Sequence, residues 1–302
     1  MRAFVTSAAL FGLLGAVPVI PAQELAPRAY WPAPVGTNVL VSSYQRSEGD
    51  VVTDPALPID DAEVTLDFLS VTWQRTFGLF GRTTNLQLNL PYVIGHGEAF
   101  SNGEFRERDI SSLTDARARI SINLVGAPAM DPAAFRQLVA DPGPILGISV
   151  MVSTPTGGYD ADRLFNAGSN RWAVKPAVGG ILPFGNGWFL EGEVGAWYYG
   201  DNDDFLGQAR KQDTLFSSEI HLLKSTRLGT WVSLDANWYS GGEVTVGDAP
   251  PQPGLANSRA GITFLHPFSL KHALRIQLNT AIETKSGGDY DSATISYMYI
   301  WR

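Results

Sequence analysis

Residues 115–124 alternate strictly between two kinds of side chain. Asp115, Arg117, Arg119 and two further polar residues lie on one side, and only Ala, Ile and Leu lie on the other. A period of two is typical of a β-strand whose faces meet different media. A helix would scatter the charges around its axis. The stretch therefore predicts a strand, with either water and a protein core or a lumen and lipid on its two sides.

The same period recurs in segments of roughly ten residues or more, the length of a tilted strand that crosses a membrane. Tight turns near 79–81, 184–186 and 267–269 lie on one edge, and long polar connections lie on the other, apart from 126–143, where a short helix is expected near 132–139. This asymmetry predicts an all-β fold, a transmembrane antiparallel β-barrel of outer-membrane type with about 12 strands. The predicted strands span 37–47, 62–77, 82–93, 112–125, 144–154, 169–182, 187–199, 214–226, 230–240, 257–267, 272–285 and 290–301.

The N-terminus has the composition of an export signal. Residues 1–22 combine a short basic start, an apolar run and a small residue at a plausible cleavage site, which predicts a cleavable signal peptide, with an N-terminal membrane anchor as the alternative. Residues 23–36 are rich in proline and predict an irregular periplasmic segment, within which Tyr30 and Trp31 could plug or pack. Residues 37–302 would then form the barrel.

Composition excludes several functions. A net charge of −8 and a pI near 5.0 argue against a nucleic-acid surface. The absence of cysteine excludes thiol catalysis and Cys-ligated metal, and the four histidines have no metal-ligand spacing. Ser217, Glu219 and His221 share one face, but residues two apart on a strand lie about 7 Å apart, too far for a nucleophile and its base. We therefore expect no enzyme, no cofactor and no metal.

The strand phase places the charged residues of the barrel in its lumen. They would form either an ion-paired network that fills a narrow barrel or one that also lines a path. The predicted lumen-lining residues are Asp115, Arg117, Arg119, Arg171, Lys175, Glu191, Glu193, Glu219, His221, Asp235, Arg259, Arg275 and Glu283.

The most distinctive loop spans 154–172. Its candidate gating or ligand-binding residues are Tyr159, Asp160, Arg163 and Asn166; the alternative is a turn-rich loop held by Asx turns. The acidic run 201–204 lacks the spacing of a defined calcium loop and is expected to be a solvated tip.

Scattered short blocks carry a family resemblance. They lie at 36–40, 82–92, 113–119, 154–160, 164–172 and 258–261, and cover most of the chain after residue 36. In these blocks the chain resembles a family of outer-membrane transporters associated with the meta pathway of phenol degradation. The resemblance implies an outer-membrane barrel that takes up aromatic compounds, and implies no catalytic or ligand residues.

The expected function is a channel or transporter for passive uptake of small hydrophobic or aromatic compounds, in the bacterial outer membrane. The alternative is a closed structural or loop-mediated binding barrel without conductance. Expected partners are membrane lipid, a small solute and the barrel-insertion machinery, since a terminal strand ending near Trp301 resembles the signal that this machinery reads, with Arg302 as a departure.

Overall fold

A computed structural model describes residues 27–52, 59–101, 104–163, 165–226 and 229–302, so the predicted signal peptide lies outside the described residues. Within these ranges the chain forms sixteen strands and one helix. They are β1 (Asn38–Val52), β2 (Ile59–Leu79), β3 (Arg82–Ser101), β4 (Glu104–Leu113), β5 (Arg117–Val125), α1 (Pro132–Ala140), β6 (Ile145–Ser153), β7 (Ala173–Pro183), β8 (Trp188–Tyr199), β9 (Asn202–Phe205), β10 (Gln208–Gln212), β11 (Leu215–Ser225), β12 (Trp231–Gly241), β13 (Val244–Val246), β14 (Leu255–Pro267), β15 (His272–Glu283) and β16 (Gly287–Trp301).

The main sheet is antiparallel and closed. β1 pairs with β2 on one side and with β16 on the other, and the remaining wall strands follow between them. β4 and β5 both pair with β3, so they are two parts of one interrupted wall strand and the barrel has twelve wall strands. The predicted fold is confirmed. Closure matters because lipid offers no hydrogen bonds to an open sheet edge.

The two ends of the barrel differ. At the short-turn rim, Phe80 and Gly81 join β2 to β3 with positive φ angles of 51° and 72°, as a two-residue type I′ turn requires. Helix α1 lies in the predicted place at this rim and is capped by the Asp131 carboxylate, which accepts the N–H groups of Ala133 and Ala134 at 2.8 Å each. Among the described residues, no helix is long and apolar enough to cross a membrane.

At the long-loop rim the strands continue further than predicted. Within the segment 96–111, expected as a loop, the described residues 96–101 and 104–111 extend the pairing of β3 with β4 as far as Ser101 and Glu104. The short strands β9, β10 and β13 add a separate three-stranded sheet at this rim. Backbone groups there are therefore paired within the loops, although the side chains are polar.

The faces of the wall are inverted relative to a soluble protein. In β12, Leu234 and Trp238 are 60% and 50% exposed on the outer face, whereas Ser233, Asp235 and Asn237 are buried inside. An apolar outer face suits lipid, and the polar residues take the place of a core.

Two predicted lining residues depart from the strand phase. The predicted strand 112–125 is broken at 114–116, where the Asp115 carboxylate accepts the backbone N–H groups of Gly157 and Ser169 at 2.9 Å each and so anchors the loop 154–172. At the end of β15, a β-bulge pairs Glu283 with Ser258, on the outer face of β14. Asp115 is therefore a loop anchor, and Glu283 is exposed outside the lumen.

Leu234 lies near the middle of β12 and should face the centre of the bilayer. We expect Leu234→Arg to cost about 2–4 kcal/mol of the free energy of unfolding, because a cation would enter hydrocarbon. Urea unfolding from lipid vesicles measures this cost. Leu270→Arg is the matched control, since Leu270 is 97% exposed in a turn of the short-turn rim; equal costs for the two variants would contradict the placement of the membrane.

The barrel interior as candidate functional site

A cavity of about 2090 Å³ occupies the barrel interior. Its lining reaches both rims: Asn186 and Thr226 belong to the short-turn rim, and Arg108, Phe165 and Lys285 to the long-loop rim. The cavity therefore extends along the barrel from one rim to the other and is not an isolated pocket.

One wall of the cavity is polar but largely uncharged. In β2 and β3, Gln87 donates to Gln74 at 3.0 Å and Asn89 donates to Thr72 at 2.8 Å, so amides and hydroxyls pair across neighbouring strands. Similar residues continue the lining into β1, β15 and β16. Because these groups bond to each other, the wall stays polar without needing counter-charges. Its lining residues include Ser43, Gln45, Ser70, Thr72, Gln74, Gln87, Asn89, Gln277, Asn279, Ser292 and Thr294.

The opposite wall, formed by β5–β8, β11 and β12, carries ion pairs. Glu193 accepts from Arg119 at 2.5 Å and from Lys175 at 2.8 Å, and the hydroxyl of Tyr30 donates to it at 2.7 Å. All four side chains are buried or nearly so. A buried carboxylate with two cations and a hydroxyl is compensated for its lost hydration.

A second group on this wall centres on His221. Its Nδ1 lies 2.8 Å from Asp235 and its Nε2 3.7 Å from Glu219, while Thr263 donates to Asp235 at 2.7 Å. The Ser217 hydroxyl donates instead to the Gly195 carbonyl at 3.5 Å. The partners of His221 are thus carboxylates, as in a structural polar network.

The N-terminal segment, residues 27–37, enters the barrel from the short-turn rim. Arg28 pairs with Glu191, with its backbone N–H donating at 2.7 Å and its guanidinium 3.3 Å from the carboxylate. The Tyr30 ring lies against Gly147 and Gly179, where an added Cβ would come within 2.5 Å and 2.3 Å of it. These glycines leave the space that the ring fills.

Apolar side chains hold the segment in place. Tyr30 is 3% exposed within a cluster formed by β6, β7, β8, β11 and β12, and Trp31 meets Phe189 edge to face at 5.4 Å. Phe135 and Leu138 of α1 pack on the same cluster. The segment and the helix therefore fill the short-turn end of the charged wall, and leave the cavity beside the uncharged wall.

Apart from Asp115 and Glu283, the predicted lining residues fall into three groups: those that border the cavity, those on the ion-paired wall, and those at the long-loop end of the interior. Within the described part of the chain, those that border the cavity are Arg119, Arg259 and Arg275. Lys175, Glu191, Glu193, Glu219, His221 and Asp235 lie on the ion-paired wall, and Arg117 and Arg171 lie at the long-loop end of the interior. Whether any of them lines a path for solute stays a prediction. Sequence reasoning missed the uncharged lining, although the same alternation marks it.

The loop 154–172 folds onto the long-loop rim. Asp160 and Arg163 form an exposed ion pair at 3.5 Å, and Asn166 bonds to the backbone of both, which is the turn-rich arrangement. The Tyr159 hydroxyl donates to the Asp204 carbonyl at 2.8 Å. It is Phe165, which sequence reasoning did not single out, that borders the cavity.

The acidic run 201–204 is tied into the same rim. Asn202 is 1% exposed and donates to Tyr159 at 2.8 Å, and Asp201 lies 3.6 Å from Lys211. In the described part of the chain, no three His, Asp or Glu side chains come close enough together to hold a metal ion.

A closed antiparallel barrel with an apolar exterior and a polar interior defines a transmembrane barrel of the outer-membrane type. The chain belongs to the family described as "Putative MetA-pathway of phenol degradation", whose model matches residues 44–297. The family resemblance read from the sequence is confirmed.

Solved structures show the same architecture. An outer membrane channel from Pseudomonas putida F1 is 22% identical with a TM-score of 0.78, over 92% of this chain and 100% of that chain. The transport unit of the autotransporter AIDA-I from Escherichia coli is 8% identical with a TM-score of 0.50, over 97% and 96%. These similarities concern the fold. A comparison with curated proteins finds no match.

Glu193 joins two strands of the charged wall and the N-terminal segment. We expect Glu193→Ala to lower the free energy of unfolding by about 3–5 kcal/mol, because Arg119 and Lys175 would remain buried without their carboxylate. Urea unfolding in detergent micelles or vesicles measures the loss. Glu48→Ala, which removes a carboxylate paired with exposed Arg46, is the control and should change little. An equal loss of unfolding free energy in the two variants would show that the buried ion pairs contribute no more to stability than exposed ones.

Proposed function

We propose that this protein is a channel in the bacterial outer membrane, through which small hydrophobic or aromatic compounds enter by diffusion. The cavity carries the proposal, because its lining includes residues of both rims. A barrel of twelve strands is narrow enough for pore size and lining charge to discriminate among solutes.

Family membership supports the solute class. The family's description refers to phenol degradation, and one structural neighbour is described as an outer membrane channel. Aromatic residues such as Tyr299 and Trp301, stacked at 5.5 Å at the short-turn rim, suit the membrane interface. We assign the short-turn rim to the periplasm and the long-loop rim to the outside, with export through the predicted signal peptide 1–22 and assembly by the barrel-insertion machinery.

Solute-dependent swelling of liposomes tests the proposal. Vesicles that hold the protein should swell faster than empty vesicles in small polar solutes of the size of phenol. The same vesicles should swell more slowly in larger sugars than in these small solutes. Swelling equal to that of empty vesicles with every solute would favour the closed structural or loop-binding barrel.

In this proposal the N-terminal segment narrows the periplasmic end of the path. Gly147→Ala would place a methyl group against the Tyr30 ring and displace the segment, so we expect a higher single-channel conductance in planar bilayers. Gly143→Ala is the matched control, since a Cβ at Gly143 meets nothing within 4 Å. If Gly147→Ala conducts like Gly143→Ala, the segment does not set the width of the path.

A further inference from the structure

Several buried or nearly buried cations of the interior pair with a carboxylate. Arg28 pairs with Glu191, and Arg119 and Lys175 share Glu193. These pairs follow from the cost of burying a charge, because a buried ion loses its hydration unless an opposite charge compensates it. A buried arginine without a carboxylate is therefore an exception that needs a reason.

Arg259 is such an exception. It lies on β14, borders the cavity and is 3% exposed. Its guanidinium donates to the Tyr290 carbonyl at 2.7 Å and lies 4.0 Å from the centre of the Tyr290 ring. Within the described residues it contacts no carboxylate, and its Nη1 makes no hydrogen bond.

Arg210 is the second exception. It lies on β10 at the long-loop rim, borders the same cavity and is 4% exposed, with its guanidinium 5.7 Å from the Phe205 ring. Its Nε makes no hydrogen bond among the described residues. Burial, and then the nearby charge of Arg171, lower the pKa of Arg210 to about 9, so Arg210 is still protonated at pH 7.

Arg171 adds a further positive charge beside Arg210. Its guanidinium lies 4.5 Å from the Tyr199 ring and donates to the Gln212 side chain, but its Nε and Nη1 make no hydrogen bond in the described part of the chain. Arg210 and Arg259, which border the cavity, each combine a donor without a hydrogen bond with a neighbouring aromatic ring, and a guanidinium group matches the planar geometry of a carboxylate.

We propose that the channel is selective for small anionic solutes, in particular aromatic carboxylates. Arg210 binds the carboxylate at the outer mouth, Arg171 adds positive charge beside it without bordering the cavity, and Arg259 is the next positive charge along the cavity. This assignment rests on the proposed channel function and specifies its substrate class. It also explains why these arginines have no carboxylate partner in a protein of net charge −8, because the carboxylate of the solute supplies the counter-charge.

Reversal potentials in planar bilayers under a KCl gradient test the selectivity. The wild-type channel should prefer chloride, and the double variant Arg210→Gln with Arg259→Gln should lower the chloride-to-potassium permeability ratio about twofold or more. Each single replacement, Arg210→Gln or Arg259→Gln, is compared with Arg46→Gln, which removes one positive charge from the outer face, where Arg46 pairs with Ala293. Arg259→Lys should retain the preference; a loss equal to that of Arg259→Gln would indicate a structural role and overturn the assignment.

Benzoate tests the binding site directly. Added to the outer side, it should reduce the chloride current with a concentration dependence that Arg210→Gln weakens about tenfold, the loss expected for one charge-assisted hydrogen bond. Heat-modifiable migration on gels checks that each variant has folded. A conducting wild-type channel without anion preference or benzoate block would overturn this inference alone, whereas absence of any conductance would overturn the channel itself.

Discussion

The hydrogen-bond requirement of a backbone in hydrocarbon governs the whole structure. Every wall strand must pair on both sides, and the pairing of β1 with β16 meets this requirement by closing the sheet. Closure of the sheet in turn gives the barrel an inner face and an outer face. Because lipid takes the apolar face, the polar face becomes the interior, and the protein has to build its core from groups that prefer water.

The interior meets this demand in two ways. On the charged wall, carboxylates such as Glu193 are compensated by cations and by the Tyr30 hydroxyl of the N-terminal segment, so the segment acts as part of the core. On the other wall, amides and hydroxyls bond to each other across strands. Only the second solution leaves room, because it needs no segment inserted from outside the wall. The cavity therefore follows the uncharged wall.

The sequence predicted what depends on local alternation, namely the twelve wall strands and the inverted faces, and it also predicted the short helix near 132–139. It could not predict features that depend on contacts distant in the chain. Asp115 continues the alternating pattern, yet backbone donors from Gly157 and Ser169 draw it out of the strand. The bulge that turns Glu283 outward is set by the partner strand. The aromatic residues Tyr30 and Trp31 suggested that the Pro-rich segment could plug or pack, but the segment carries no periodic signal that shows where.

The same limit applies to the charged residues of the interior. Alternation shows which charged residues point inward, but not which of them are neutralised by one another. Glu191 and Arg28 form a neutral pair, whereas Glu193 shared by Arg119 and Lys175 leaves one positive charge, so this wall contributes less field than its five charges would contribute separately. The field that a solute meets is set by the cations that exceed the carboxylates. Selectivity in such a barrel is therefore a property of the pairing, which only the closed structure determines.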